Sequence, residues 1–198
     1  GSMSARLAGA VQIHYPVDVN VDSNGNIYVL EYWNNRIKKF DSSGNYLKAF
    51  GGPGSNCSQW RSARQFDIKG NIIYISDTNN YRFVMLDLEG NCVRTQSVSH
   101  LRQSPVAMAV GGGWAWASGP DRIASHYSSS MYQNPGGNVY NNEGAGSSFI
   151  WGMSWNSGGS RIAYANYSKN QVRIAYVLEI KQLELAVNKS NKNDIRKI

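Results

Sequence analysis

The chain has 198 residues, 41% of them hydrophobic and 17% charged, a balance that suits one sizeable globular core and argues against disorder. Twelve Tyr, six Trp and 20 Gly lean it toward strands and tight turns, and no apolar run nears the ~20 residues of a membrane-spanning helix. The net charge of +7 permits a nucleic-acid partner, but part of that excess sits in a polar tail at 189–198, with Lys189, Lys192, Arg196 and Lys197 against Asp194.

Gly1-Ser2-Met3 reads as the remnant of an expression tag. From Val17 to Asp22 apolar and polar residues alternate, which predicts a first strand. Asn24-Gly25 suits a hairpin turn, because both residues tolerate a positive φ. Ile27–Tyr32 is a second strand, apolar on both faces, as expected of a strand held between neighbouring sheets. The short loop Trp33-Asn34-Asn35 leads to a third strand, Arg36–Phe40. Asp41 opens the next turn, where its carboxylate can bond the backbone two residues on. Tyr46–Phe50 closes the unit as a fourth strand, and Gly51-Gly52-Pro53-Gly54 breaks it.

The same pattern returns from Gly70 to Arg94. Arg36 and Arg82, Asp41 and Asp87, and Gly44 and Gly90 recur at a single spacing of 46 residues. Weaker copies follow at 104–126 and 152–177, where Arg122 and Arg173 continue the series at drifting intervals. Between them, 127–146 reads as an insertion or a loose outer strand, and Lys181–Val187 as an outer strand for the last unit. A four-stranded meander cannot bury both of its faces alone, so the units must pack radially. The expectation is an all-β chain, a β-propeller of four-stranded antiparallel blades with about four blades between residues 6 and 188. Closure in one chain, an open fragment and a ring shared with a second copy all remain possible, and Arg6–Ile13 resembles the end of an outer strand.

The stretch from Tyr15 to Gly51 resembles an NHL repeat: Pro16, a strand, Asp22-x-x-Gly25-Asn26, a strand, Asn34-Asn35-Arg36-Ile37, a strand, Asp41-x-x-Gly44, then Phe50-Gly51. The second copy is similar with one shift, and the fourth resembles TolB-like and WD-type blades. The resemblance implies a binding platform. It raises one enzymatic alternative, since an NHL-like branch, the peptide-amidating lyases, binds zinc through histidines from several blades. Here His14 and His100 precede first strands whereas His126 ends a third strand on the other rim. Val17 and Val106 stand where that branch has its histidine, so neither a catalytic residue nor a metal ligand nor a cofactor is assigned.

Tyr32, Trp33, Tyr81, Tyr167 and Lys169 fall between second and third strands, and Trp60, Arg61 and Arg64 lie in the connection between blades. All eight should gather on one rim, and aromatic residues beside arginine suit recognition of a protein, an RNA or a glycan. Trp33 and Trp60 could instead pack between blades. The recurring arginines read as structural, each holding an acid such as Glu31 or Asp77. Trp114, Trp116, Trp151 and Trp155 read as core.

Three matches to the glycosylation acceptor pattern, at Asn56, Asn166 and Asn188, leave the compartment open in a chain this rich in Asn and Ser. Repeat position places Cys92 at the rim opposite Cys57, a strand-length or ~16 Å away. A disulfide needs Cα atoms within ~7 Å, so two free thiols are expected.

Overall fold

The computed structural model describes residues 11–98, residue 105, and the strands at 107–111, 114–118, 122–127, 139–141, 150–155, 161–166 and 171–176. These form four antiparallel sheets. Blade 1 is β1 (Pro16–Val21), β2 (Ile27–Glu31), β3 (Arg36–Phe40) and β4 (Tyr46–Gly51). Blade 2 is β5 (Phe66–Lys69), β6 (Ile72–Asp77), β7 (Arg82–Asp87) and β8 (Cys92–Ser97). The third sheet runs β9 (Ala107–Gly111), β10 (Trp114–Ser118), β11 (Arg122–Tyr127) and β12 (Val139–Asn141), so the stretch after Tyr127 supplies an outer strand. The fourth has three described strands, β13 (Ile150–Trp155), β14 (Arg161–Asn166) and β15 (Gln171–Tyr176). The strand expected at 181–187, the tail and the first ten residues lie outside the described residues.

Period-two alternation sends blade 2 into two cores at once. Ile73, Ile75, Val84 and Leu86 pack toward Tyr28, Leu30 and Ile37 of blade 1. The intervening Tyr74, Phe83 and Met85 pack toward Met108 and Val110 of the third sheet. That is why β6 and β7 read as apolar on both faces.

Side chains of one inner strand also bind the backbone of the next. Asp18 accepts from the Phe66 N–H at 2.9 Å, Gln65 from Met108 at 3.0 Å, and Asp67 from Val110 at 2.7 Å. From β3 and β4, Lys39 and Lys48 both reach Glu89 in the β7–β8 turn, at 2.7 and 3.2 Å. The turns hold themselves in the way expected of Asp41. One of its carboxylate oxygens accepts from Ser43 and Asn45 N–H at 2.9 and 2.8 Å, and Asp87 does the same with Glu89 and Asn91.

The cysteines correct the expectation of free thiols: Cys57 and Cys92 form a disulfide, with Cα atoms 5.5 Å apart. Counting rims along one strand fails because the outer strands lie aslant between blades. Gly90 of the β7–β8 turn sits directly beneath the Phe50 ring at the end of β4. Cys92 therefore starts near the exit of blade 1, not a strand-length below it. The connection is then drawn onto blade 2 by Arg82, whose guanidinium donates to the carbonyls of Ser55, Asn56 and Gln59 at 2.7, 2.9 and 3.0 Å.

Candidate functional site

The rim that carries the β2–β3 and β6–β7 loops is built on two buried acids. Glu31 accepts from Arg36 Nε at 2.7 Å, Lys38 Nζ at 2.9 Å, Asn34 Nδ2 at 3.1 Å and the backbone N–H of His14 at 2.6 Å. Burial alone would raise its pKa, but these donors together pull it down to about 2. Asp77 repeats the device, accepting from Arg82 Nε at 2.7 Å, Asn80 Nδ2 at 2.8 Å and the backbone N–H of Arg61 at 2.8 Å. The arginines are thus structural at Arg36 and Arg82, as their recurrence suggested. Arg122 opens β11 and Arg173 is the third residue of β15; their side chains lie outside the described residues.

Each acid therefore pins both its own loop and the chain arriving before the inner strand. Beyond each pinned residue the backbone turns left-handed, at Tyr15 (φ 50°) in blade 1 and Ser62 (φ 58°) in blade 2. The loops before Arg36 and Arg82 do so as well, at Asn35 (φ 50°) and Tyr81 (φ 53°). Asn35 and Ser62 are tied together, Ser62 N–H donating to Asn35 Oδ1 at 2.7 Å.

On this frame sits an aromatic cluster. Trp33 is 66% exposed and meets Tyr32 and Tyr15 edge-to-face, with ring centroids at 5.2 and 5.8 Å. Tyr15, 67% exposed, escaped the sequence reading; its only signal was an aromatic immediately before the blade-opening Pro16. The Arg64 guanidinium lies over the Tyr32 ring at 4.9 Å and donates to its hydroxyl at 3.4 Å. Arg61 and Tyr81 are exposed on the same rim, contributed by blade 2. Of the eight expected residues, Tyr32, Trp33 and Arg64 are thus in direct contact, while Arg61 and Tyr81 are exposed on blade 2.

Trp60 is a correction. It is fully buried in the core between blades 1 and 2, with its ring against Gly51, because the connection turns inward there. Its side chain offers no surface to a partner. Tyr167 and Lys169, between β14 and β15, lie outside the described residues. Trp114, Trp116, Trp151 and Trp155 fall within β10 and β13, and their side chains also lie outside them. Among the described residues no group of His, Cys, Asp or Glu is placed to hold a metal, and His14 is exposed.

The NHL repeat family model matches residues 14–40. A search of curated protein sequences gave no match. Solved structures share the fold at low identity. A chain of a nidogen/laminin complex has TM-score 0.65 and 13% identity over 81% of this chain and 59% of that one. A streptogramin B lyase has TM-score 0.59 and 13% identity over 84% and 56%. A catalytically inactive virginiamycin B lyase from Staphylococcus aureus with quinupristin has TM-score 0.56 and 14% identity over 82% and 55%. The chain thus spans between half and three-fifths of the length of these structures. The described residues form the antiparallel blades of a β-propeller, and the first blade is similar to an NHL repeat over residues 14–40.

Proposed function

We propose that the chain is a non-catalytic binding platform and that the rim bearing Tyr15, Tyr32, Trp33, Arg61, Arg64 and Tyr81 recognises a protein. The observation that carries this reading is the exposure of an aromatic cluster at backbone positions that other residue types also fill in these blades. The repeat requires a left-handed residue at two slots per blade, and Asn35 and Ser62 fill two of the four. Tyrosine fills the others although a bulky side chain is strained there, and both tyrosines present much of their rings to solvent. Exposed aromatics with arginine beside them are the residue types that dominate protein interfaces.

One structural neighbour is a protein–protein assembly by its name and two are lyases. At 13–14% identity this likeness concerns fold alone. RNA recognition by the same rim is the second reading, favoured by the net charge of +7.

Selection from a displayed peptide library, with Trp33→Ala and Tyr15→Asn as counter-targets, tests the proposal. Enrichment on the wild type that both variants lose, at melting temperatures within a few degrees of wild type, is the expected result. Peptides that bind the variants equally well would move the site off this rim. Retention of single-stranded RNA that weakens steeply between low and moderate salt would replace protein by RNA.

A further inference from the structure

The connection between blades 1 and 2 carries one of the three acceptor patterns for N-linked glycans, Asn56-Cys57-Ser58. Its backbone is firmly held. The Asn56 carbonyl accepts from Arg82 at 2.9 Å and from the Gln59 N–H at 3.0 Å, which closes a turn over 56–59. The Asn56 N–H donates in turn to Gln59 Oε1 at 3.4 Å. None of these bonds uses the Asn56 side chain, and both Asn56 and Ser58, whose hydroxyl the pattern requires, are exposed. Other turn asparagines of blades 1 and 2 engage their amides in the fold. Asn26, Asn45, Asn80 and Asn91 donate to Asp22, Asp41, Asp77 and Asp87. The Asn56 amide has no such partner among the described residues.

The middle residue of the pattern supplies a second, independent observation. Cys57 is bridged to Cys92, so neither cysteine of the chain is a free thiol. Disulfides persist in oxidising compartments such as the secretory lumen and are rare where thiols are kept reduced. The acceptor pattern alone left the compartment open, and the bridge within it favours the compartment in which such patterns are modified.

We propose that the chain is made in an oxidising secretory compartment and that Asn56 is an N-glycosylation site. The sugar donor is a lipid-diphosphate-linked oligosaccharide. The Asn56 amide nitrogen bonds to C1 of the first sugar while the C1–O bond breaks. The electron pair of that bond leaves with the lipid diphosphate, and one amide proton passes to a base of the transferring enzyme. The local structure also sets the order of events. A 56–59 turn closed by hydrogen bonds and bridged at Cys57 resists being drawn into a transferase groove, so transfer precedes the Cys57–Cys92 bond. Because the amide makes no bond in the folded chain, the glycan displaces nothing and stands out into solvent. This inference does not depend on the aromatic rim or on what the rim binds.

Digestion of the chain purified from its native source with peptide-N-glycosidase in heavy-oxygen water tests the site, because the reaction leaves an oxygen label only where a glycan stood. The expected result is a label at position 56 in the peptide map. An unlabelled Asn56 in that protein would overturn the proposal. Secretion of the whole chain from eukaryotic cells tests the rest. Asn56→Gln should lose the glycan and keep the melting temperature of the enzymatically deglycosylated wild type, whereas a clear drop in melting temperature would show the amide to be structural. Cys92→Ser leaves the acceptor pattern whole but removes the bridge, and it should raise the occupied fraction at Asn56. Occupancy that Cys92→Ser leaves unchanged would overturn the order of transfer and bridging.

Discussion

At the scale of single residues, Asp18 and Glu31 show how place decides the behaviour of a carboxylate. Burial raises the pKa of Asp18 from 3.8 to about 6, against two backbone N–H bonds from Phe66 and Val19, and the neighbouring Asp67 adds to the rise. The native state therefore holds this proton more tightly than the unfolded chain does. Its contribution is greatest below pH 3.8 and is lost as the pH climbs toward 6. Glu31 has the opposite sign: its contribution is complete above 4.5 and is lost as the pH falls toward 2. Replacing Asp18 by Asn removes the titration. Urea unfolding should show wild type losing on the order of 2 kcal/mol relative to Asp18→Asn between pH 4 and pH 7. Parallel stability curves for the two proteins would contradict the burial of that charge. This residue-level chemistry was the least legible part of the sequence, since Asp18 looks like any polar position in an alternating strand. Arg36 and Arg82 were legible because their spacing repeats, and the acids that hold them follow from the adjacent strand.

At the scale of elements, the strands of blade 1 were readable almost residue by residue, because alternation and turn chemistry are local, and blade 2 was legible from Gly70 onward as its repeat, without its inner strand β5. What was not local was lost. Trp60 and Trp33 look alike in the sequence, yet one is core and the other is 66% exposed, a difference set by the inward turn of the 52–65 connection. The cysteine pairing failed for the same reason, because the slant of one blade against the next leaves no periodic trace. The contact of Gly90 with Phe50 makes that slant testable. Gly90 has φ 86°, and an added Cβ would collide with the Phe50 ring as well as strain the turn. Gly90→Ala should cost about 2 kcal/mol or more in thermal or urea unfolding, while Gly70→Ala, at φ 58° with open space around it, should cost less.

At the scale of the whole molecule, the repeat architecture makes each blade depend on its neighbours, and the disulfide changes that balance at one junction. It joins the connection leaving blade 1 to the outer strand of blade 2 across 35 residues, which by chain entropy alone corresponds to roughly 3–4 kcal/mol. Thiol titration of the unfolded protein should find no reactive group before reduction and two after it, and Cys57→Ser should lower the melting temperature by about 10 °C. Two titratable thiols without reductant would show that the pair is open in solution. The bond also has a mechanical meaning. Pulled from its two ends, the chain cannot pay out the segment between Cys57 and Cys92. Its fully stretched length should therefore fall short by about 120 Å, at 3.3–3.6 Å for each of the 35 residues. Reductant in the pulling buffer should restore that length in a single step.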